Sequence, residues 1–240
     1  MIPEAAFWGL VSTIPLLIGA YIAFRFRPSP KVVGIIMGFG AGALIAAVAY
    51  ELIPETSPRD FASFISLGLG AVVFYLATSW IDRRSRRKGK EGESAKAQTG
   101  KAIVLGALLD GIPESLVLGM SLGIGGAISV AFLGAVFVSN LPESIGATSE
   151  MDRGGMEHAK VYKIWLSVLL VCVAVTVLGA ILIQYTSGVE GIYVKAFAAG
   201  AVLAMLTDSM IPEGFEEGGR LTGLMTVLGF AFASILALIG

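Results

Sequence analysis

Charge is scarce in this chain. Of its 240 residues, 17 are Lys or Arg and 18 are Asp or Glu, so charged residues make up 15%, against about 25% in an ordinary soluble domain. A soluble globule needs more polar surface than that to cover its core, so the soluble class is excluded. The formal net charge of −1 argues against nucleic acid as a partner. Cys172 is the only cysteine, which excludes a disulfide framework. The 31 glycines follow no triplet period, which excludes a collagen-like chain. Ahead of the first apolar run stands Glu4 and no Lys or Arg. That is not the basic start of a cleaved signal peptide, so the first run is read as a retained helix.

Apolar sequence is abundant. Hydrophobic residues are 55% and the mean hydropathy is +0.82. Eight apolar runs can be read along the chain: Ala5 to Phe24, Val32 to Pro54, Phe61 to Ile81, Ala102 to Ile124, Ala127 to Thr148, Ile164 to Val189, Ile192 to Pro212 and Leu221 to Gly240. Each is long enough for a helix, at about 1.5 Å per residue, to cross about 30 Å of hydrocarbon. Barrel strands are short and alternating, unlike these continuous runs. The expectation is an all-α integral membrane protein of eight transmembrane helices in one domain, with lipid around it.

Basic residues in the short connections set the orientation. With the N-terminus outside, fifteen Lys and Arg fall on the inner side, eight of them between Arg83 and Lys101, against Arg59 and Lys195 outside. Both termini are therefore expected outside an inner (plasma) membrane. The stretch Asp82 to Gly100 is expected to be a mobile cytosolic loop, its charge acting as a topology signal and tether rather than a lipid-binding site.

A Pro-Glu pair recurs in four of the runs. The second ends in Glu-Leu-Ile-Pro-Glu at Glu51 to Glu55, and the seventh in Asp-Ser-Met-Ile-Pro-Glu at Asp208 to Glu213. The fourth holds Asp-Gly-Ile-Pro-Glu-Ser at Asp110 to Ser115, and the fifth Ser-Asn-Leu-Pro-Glu-Ser at Ser139 to Ser144. Similar motifs on oppositely directed helices suggest an inverted repeat, helices 1–3 against 6–8, around a central hairpin of helices 4 and 5.

Spacing gives these residues a shared chemistry. Asp110 and Glu114 are four apart, as are Ser139 and Glu143, while Asn140 is three from Glu143, so each set projects oxygen ligands from one helix face. Pro113 and Pro142 have no N–H, which leaves the carbonyls of Leu109 and Val138 without their helical donors. No Lys, Arg or His lies in the middle of any run. An ionised carboxylate at the bilayer centre costs about 2.5 to 3.5 kcal/mol on insertion scales. Converging carboxylates without a counter-charge must share protons, hold water or bind a cation, and a divalent cation suits an oxygen ligand set. Packing of protonated carboxyls between helices is the plainer alternative.

With these motifs the chain resembles the ZIP (Zrt/Irt-like) metal transporter family over nearly its whole length. The resemblance aligns Asp110 with the family's fourth-helix histidine, Glu114 with its glutamate, Ser139 with the fifth-helix histidine or glutamine, and Glu143 with the second glutamate. It implies transport of a divalent metal, of the zinc, iron or manganese class, held by Asp110, Glu114, Ser139, Asn140 and Glu143. Glu51 and Glu55 would serve the outer path and Asp208 and Glu213 the inner one. It also implies a homodimer; alternating access, with the helix 4 and 5 hairpin moving against the other bundle, is the expected mechanism, and no enzymatic activity is expected. The runs lack histidine, and an oxygen-only site shifts preference from Zn²⁺ toward harder ions such as Mn²⁺, Fe²⁺, Mg²⁺ or Ca²⁺. The sixth run lacks the acidic residue with which some members extend a second metal position.

Other classes compete for the same residues: a metal sensor or scaffold that does not transport, a proton-coupled cation exchanger of another family, and an intramembrane enzyme. The last lacks a His or Lys base in the middle of its runs. Gly34, Gly38 and Gly42 form a small-residue stripe expected to pack closely against another helix. His158 is expected in a solvated inner loop, the acidic group Glu213, Glu216 and Glu217 at the inner end of the seventh run, and Cys172 packed as a small hydrophobe.

Overall fold

The computed structural model describes residues 1–53, 61–88, 95–123, 129–185 and 188–239. Its regular structure, among these residues, is wholly helical. The order is α1 (Ile2–Phe26), α2 (Pro30–Ala47) continuing into a π-helical turn (Val48–Leu52), α3 (Phe61–Lys88), α4 (Ala95–Gly123), α5 (Val130–Arg153) and α6 (His158–Tyr185). Then follow α7 (Gly188–Met205) with a second π-helical turn (Leu206–Met210), α8 (Ile211–Gly218) and α9 (Arg220–Ile239). Eight helical segments are long and apolar enough to cross a membrane, with α7, its π turn and α8 making one of them.

Local chemistry explains where the helices start and turn. Ser29 in extended conformation precedes Pro30 at the first helical position of α2. Ser129 caps α5, its Oγ accepting from the Phe132 N–H at 3.0 Å, so this helix begins three residues later than its apolar run. Gly155 at φ 72° and Gly219 at φ 65° make the turns into α6 and α9, a backbone region that glycine enters without a Cβ clash. The charged segment expected to be a loop is partly helical: α3 extends to Lys88, and α4 begins at Ala95. Ala, Lys and Gln in Ala95–Gly100 are good helix formers.

The prolines act differently in the four motifs. Pro113 and Pro142 lie inside α4 and α5, which run on through them rather than breaking. In the second and seventh spans the turn ahead of the proline is widened instead. The N–H of Ile53 reaches the carbonyl of Val48 at 3.0 Å, and that of Ile211 reaches Leu206. Each π turn frees a carbonyl that a proline two residues further on has no N–H to satisfy.

Side by side, α2 lies along α9, α3 along α7, α4 along α6, and α1 against α5 and α6, while α2 also touches α5 and α8. The span of α2 is 67% buried and those of α3 and α9 are 17% buried, so α2 is central and the other two present their apolar faces outward. The expected hairpin of helices 4 and 5 is loose, since α4 packs mainly on α6 and α5 on α1 and α2, and their connection lies outside the described residues.

The glycine stripe of α2 packs as expected. Gly34 meets the α8 backbone at Gly214 and Gly218, Gly38 meets Thr222, and a methyl at Gly42 would collide with the Thr226 carbonyl. The crossing of α7 with α3 uses the same device: Gly200 sits on the Leu67 carbonyl as Gly42 sits on that of Thr226. Gly70 sits on the Phe197 carbonyl as Gly229 sits on that of Phe39. Such contacts supply the packing on which helices rely in lipid, where water exclusion gives little.

Three helix turns gather at one end of the bundle. Arg27 after α1 pairs with Asp152 of α5 at 3.7 Å, and both line a small cavity with Glu217 of α8. His158 is the first residue of α6 rather than a loop residue. Its Nε2 lies 3.3 Å from Asp152 and its ring stacks on Phe24 at 3.8 Å. Lys195, counted from the sequence among the outer connections, lies within α7 and is buried. Cys172, on α6, is buried in the same apolar cluster as Trp165.

Candidate functional site

A cavity of 490 Å³ enters the bundle between α3, α4, α5 and the seventh span. Small residues make the space. On α5, Gly146 and Ala147 separate Glu143 from Glu150, and on α4, Gly106 and Ala107 stand one turn before Asp110. These positions fall on one face of each helix, so the carboxylates project into the gap that the small residues leave. Among the described residues, seven acidic ones line the cavity: Asp110, Glu143, Glu150, Asp208, Glu213, Glu216 and Glu217. Among the described residues that line it, none is Lys, Arg or His.

The site has depth. Asp110 and Glu143 lie in the interior of α4 and α5, whereas Glu150, Glu216 and Glu217 belong to the end of the bundle where Arg27 and Asp152 meet. Asp208 sits within the π turn and Glu213 one turn further along α8, carrying the acidic lining from the interior toward that end. Asp110 lies in the field of Glu213 and Asp208, and Glu143 in that of Asp110, Glu114 and Glu213. The result is a cluster of carboxyl groups near enough to interact with one another, held against low-dielectric walls.

Of the five residues expected as ligands, two line this cavity. Asp110 and Glu143 do. Glu114, 2% exposed, sits deeper, close enough to Asp110 to interact with it electrostatically. Ser139 turns its hydroxyl to the Val136 carbonyl at 3.0 Å. Asn140 donates its amide to the Ser12 carbonyl at 3.0 Å, which ties α5 to α1. Ser144 likewise donates to Pro15 at 3.2 Å. Asn140 and Ser144 thus brace α5 against α1. Among the described residues, no three Asp, Glu, His or Cys side chains form a group that could hold a metal ion as they stand.

The pathway residues divide similarly. Asp208 and Glu213 line the cavity. Glu51 lies in the other π turn, toward the opposite end of the bundle, and Glu55 lies outside the described residues. Glu150 escaped the sequence reading. Its signal was the seven-residue, two-turn spacing from Glu143, with Gly146 and Ala147 between them. No protein-family model and no curated protein matches this chain.

Proposed function

We propose that the chain is a ZIP-like membrane transporter that moves divalent metal cations by alternating access through a carboxylate-lined site on α4 and α5. The observation that carries this reading is the acidic cavity leading from Asp110 and Glu143 to one end of the bundle, with no cationic side chain among the described residues that line it. In this reading the ion draws Asp110, Glu143 and the deeper Glu114 together as it binds, since two carboxylates neutralise a divalent ion and oxygen donors suit it. The brace formed by Asn140 and Ser144 on α1 holds α5 while the carboxylates rearrange.

An inverted repeat of spans 1–3 and 6–8 supplies the two alternating faces. Its support is positional. Adding 158 takes α2 (Pro30–Ala47) onto α7 (Gly188–Met205), the first π turn onto the second, and Pro54 onto Pro212. The same step takes Gly42 and Phe39 onto Gly200 and Phe197, and one residue more takes Leu67 and Gly70 onto Thr226 and Gly229, so the α2–α9 and α7–α3 crossings correspond contact by contact. The positive-inside pattern assigns the acidic cavity to the cytosolic face and both termini to the outside. The cavity is then the inward-open half of the cycle.

The test is uptake into proteoliposomes of Zn²⁺, Mn²⁺, Fe²⁺, Mg²⁺ and Ca²⁺ in competition, with Glu143→Gln as control. Saturable flux lost in the variant supports the carrier and identifies the preferred ion. Binding without flux assigns the carboxylates to a sensor or scaffold. Absence of both returns them to packing. Flux that follows an imposed proton gradient adds proton coupling.

A further inference from the structure

The correspondence between α2 and α7 is not complete in chemistry, and one of its exceptions is a charged residue buried in the bundle. Met37 lines the acidic cavity from α2, and the same 158-residue step places Lys195 at its equivalent on α7. Lys195 is 3% exposed, two turns into α7 from Gly188. It shares a helix face with Val202 and Met205, seven and ten residues on, and Met205 lines the inner end of the cavity. Lys195 therefore stands on the side of α7 that faces the path, in the half opposite the acidic opening. That half is packed: Leu44, Ala47, Val48 and Leu52 are at most 1% exposed. Ala47 and Leu52 are the equivalents of Met205 and Met210, which line the open half.

A buried ammonium is tolerated only when neighbouring groups satisfy it, and Lys195 is engaged by a neighbour. We propose that Lys195 is the closing cation of the outer half. Its tethered ammonium occupies the space that would open there as the mirror of the acidic cavity, and that half opens only when the ammonium is hydrated or re-paired. The lysine also keeps positive charge in the closed half, so a divalent cargo bound at Asp110 and Glu143 meets repulsion outward and attraction inward. This assignment rests on the inverted-repeat transporter reading above.

The experiment uses thiol accessibility, which requires no flux. Ala47→Cys is placed in a Cys172→Ala background, and intact cells are exposed to a membrane-impermeant maleimide. With Lys195 present, labelling from outside is expected to be slow, and Lys195→Arg is expected to preserve that protection because the charge remains. In Lys195→Met, labelling is expected about tenfold faster, the change that about 1.4 kcal/mol of lost closing energy makes. An unchanged rate in Lys195→Met overturns the proposal, as does an equal acceleration in Lys195→Arg, which would make the residue a matter of shape. If Lys195→Met does not fold by thermal melting in detergent, Lys195→Gln carries the same comparison. Lys195-dependent labelling in a protein without uptake defeats transport and leaves the closing role. Uptake with labelling indifferent to Lys195 does the reverse.

Discussion

At the scale of single residues, the proposed site separates side chains that carry charge from those that hold them in place. Glu143→Gln and Asp110→Asn keep size and shape but cannot neutralise a divalent cation. Each is expected to lower cation flux at least about tenfold, a difference of about 1.4 kcal/mol or more in binding, while the thermal melt in detergent stays near wild type. Asn140 behaves differently because its amide is committed to the Ser12 carbonyl. Asn140→Ala is expected to cost about 0.6 kcal/mol of stability and at most about 1.7 kcal/mol, the average and the maximum measured for hydrogen bonds between membrane helices. Its effect on flux should be smaller than that of Glu143→Gln. A larger loss of flux in Asn140→Ala at unchanged stability would restore it as a direct ligand. This distinction was hidden in the sequence. The Ser-Asn-Leu-Pro-Glu-Ser spacing puts Asn140 and Glu143 on neighbouring positions of a helix. Only the placement of α1 shows that Asn140 reaches away from the cavity. The burial of Lys195 is hidden for a similar reason: its position near the outer end of the seventh run says nothing of which neighbours enclose it.

At the scale of helices, the hydrophobic runs located the spans because lipid imposes the same requirement on every crossing segment. Their ends were harder to read. Helices here continue past the apolar runs wherever backbone propensity or a cap allows, as α3 does to Lys88 and α5 does to Arg153. The prolines show the limit most clearly. Four similar Pro-Glu motifs gave two continuous α-helices and two π turns, a difference set by tertiary surroundings that motif spacing does not contain. The glycine contacts give this scale its prediction. A methyl at Gly42 meets the Thr226 carbonyl, and one at Gly200 meets that of Leu67, so neither obstacle is a flexible side-chain end. Gly42→Ala and Gly200→Ala should each force a helix pair apart and cost about 1 to 3 kcal/mol, as overpacking generally does. Gly68→Ala adds its methyl to open space on α3. It should be neutral or stabilising by up to about 1 kcal/mol through helix propensity. Thermal unfolding of the three variants in one detergent checks the contrast, and equal melting temperatures would remove the crossings as the source of packing strength.

At the scale of the whole molecule, the question is how a chain with so few charges gathers seven carboxylates along one cavity. Electrostatics gives the outer and deep members different tasks. In the proposed transporter Asp110 and Glu143 act on a bound ion at contact distance, whereas Glu150, Glu216 and Glu217 at the bundle end act through the field that brings an ion in. Exposed charges farther apart than about 8 to 10 Å are largely screened at physiological salt, while buried ones are screened much less. The two groups should therefore separate when salt is varied. The combined Glu150→Gln, Glu216→Gln and Glu217→Gln variant is expected to raise the apparent KM for cation presented at the acidic face several-fold at low ionic strength, with the maximal rate nearly unchanged. Raising monovalent salt should shrink the difference between this variant and wild type, because salt already removes in wild type what the substitutions remove. Glu143→Gln should show no such convergence. The measurement is initial flux against cation concentration at two ionic strengths, in vesicles loaded so that cargo meets only the face bearing Arg27 and Arg153. A loss of maximal rate that persists at high salt would place the three glutamates at the ion itself and make the whole cavity, rather than its inner end, the binding site.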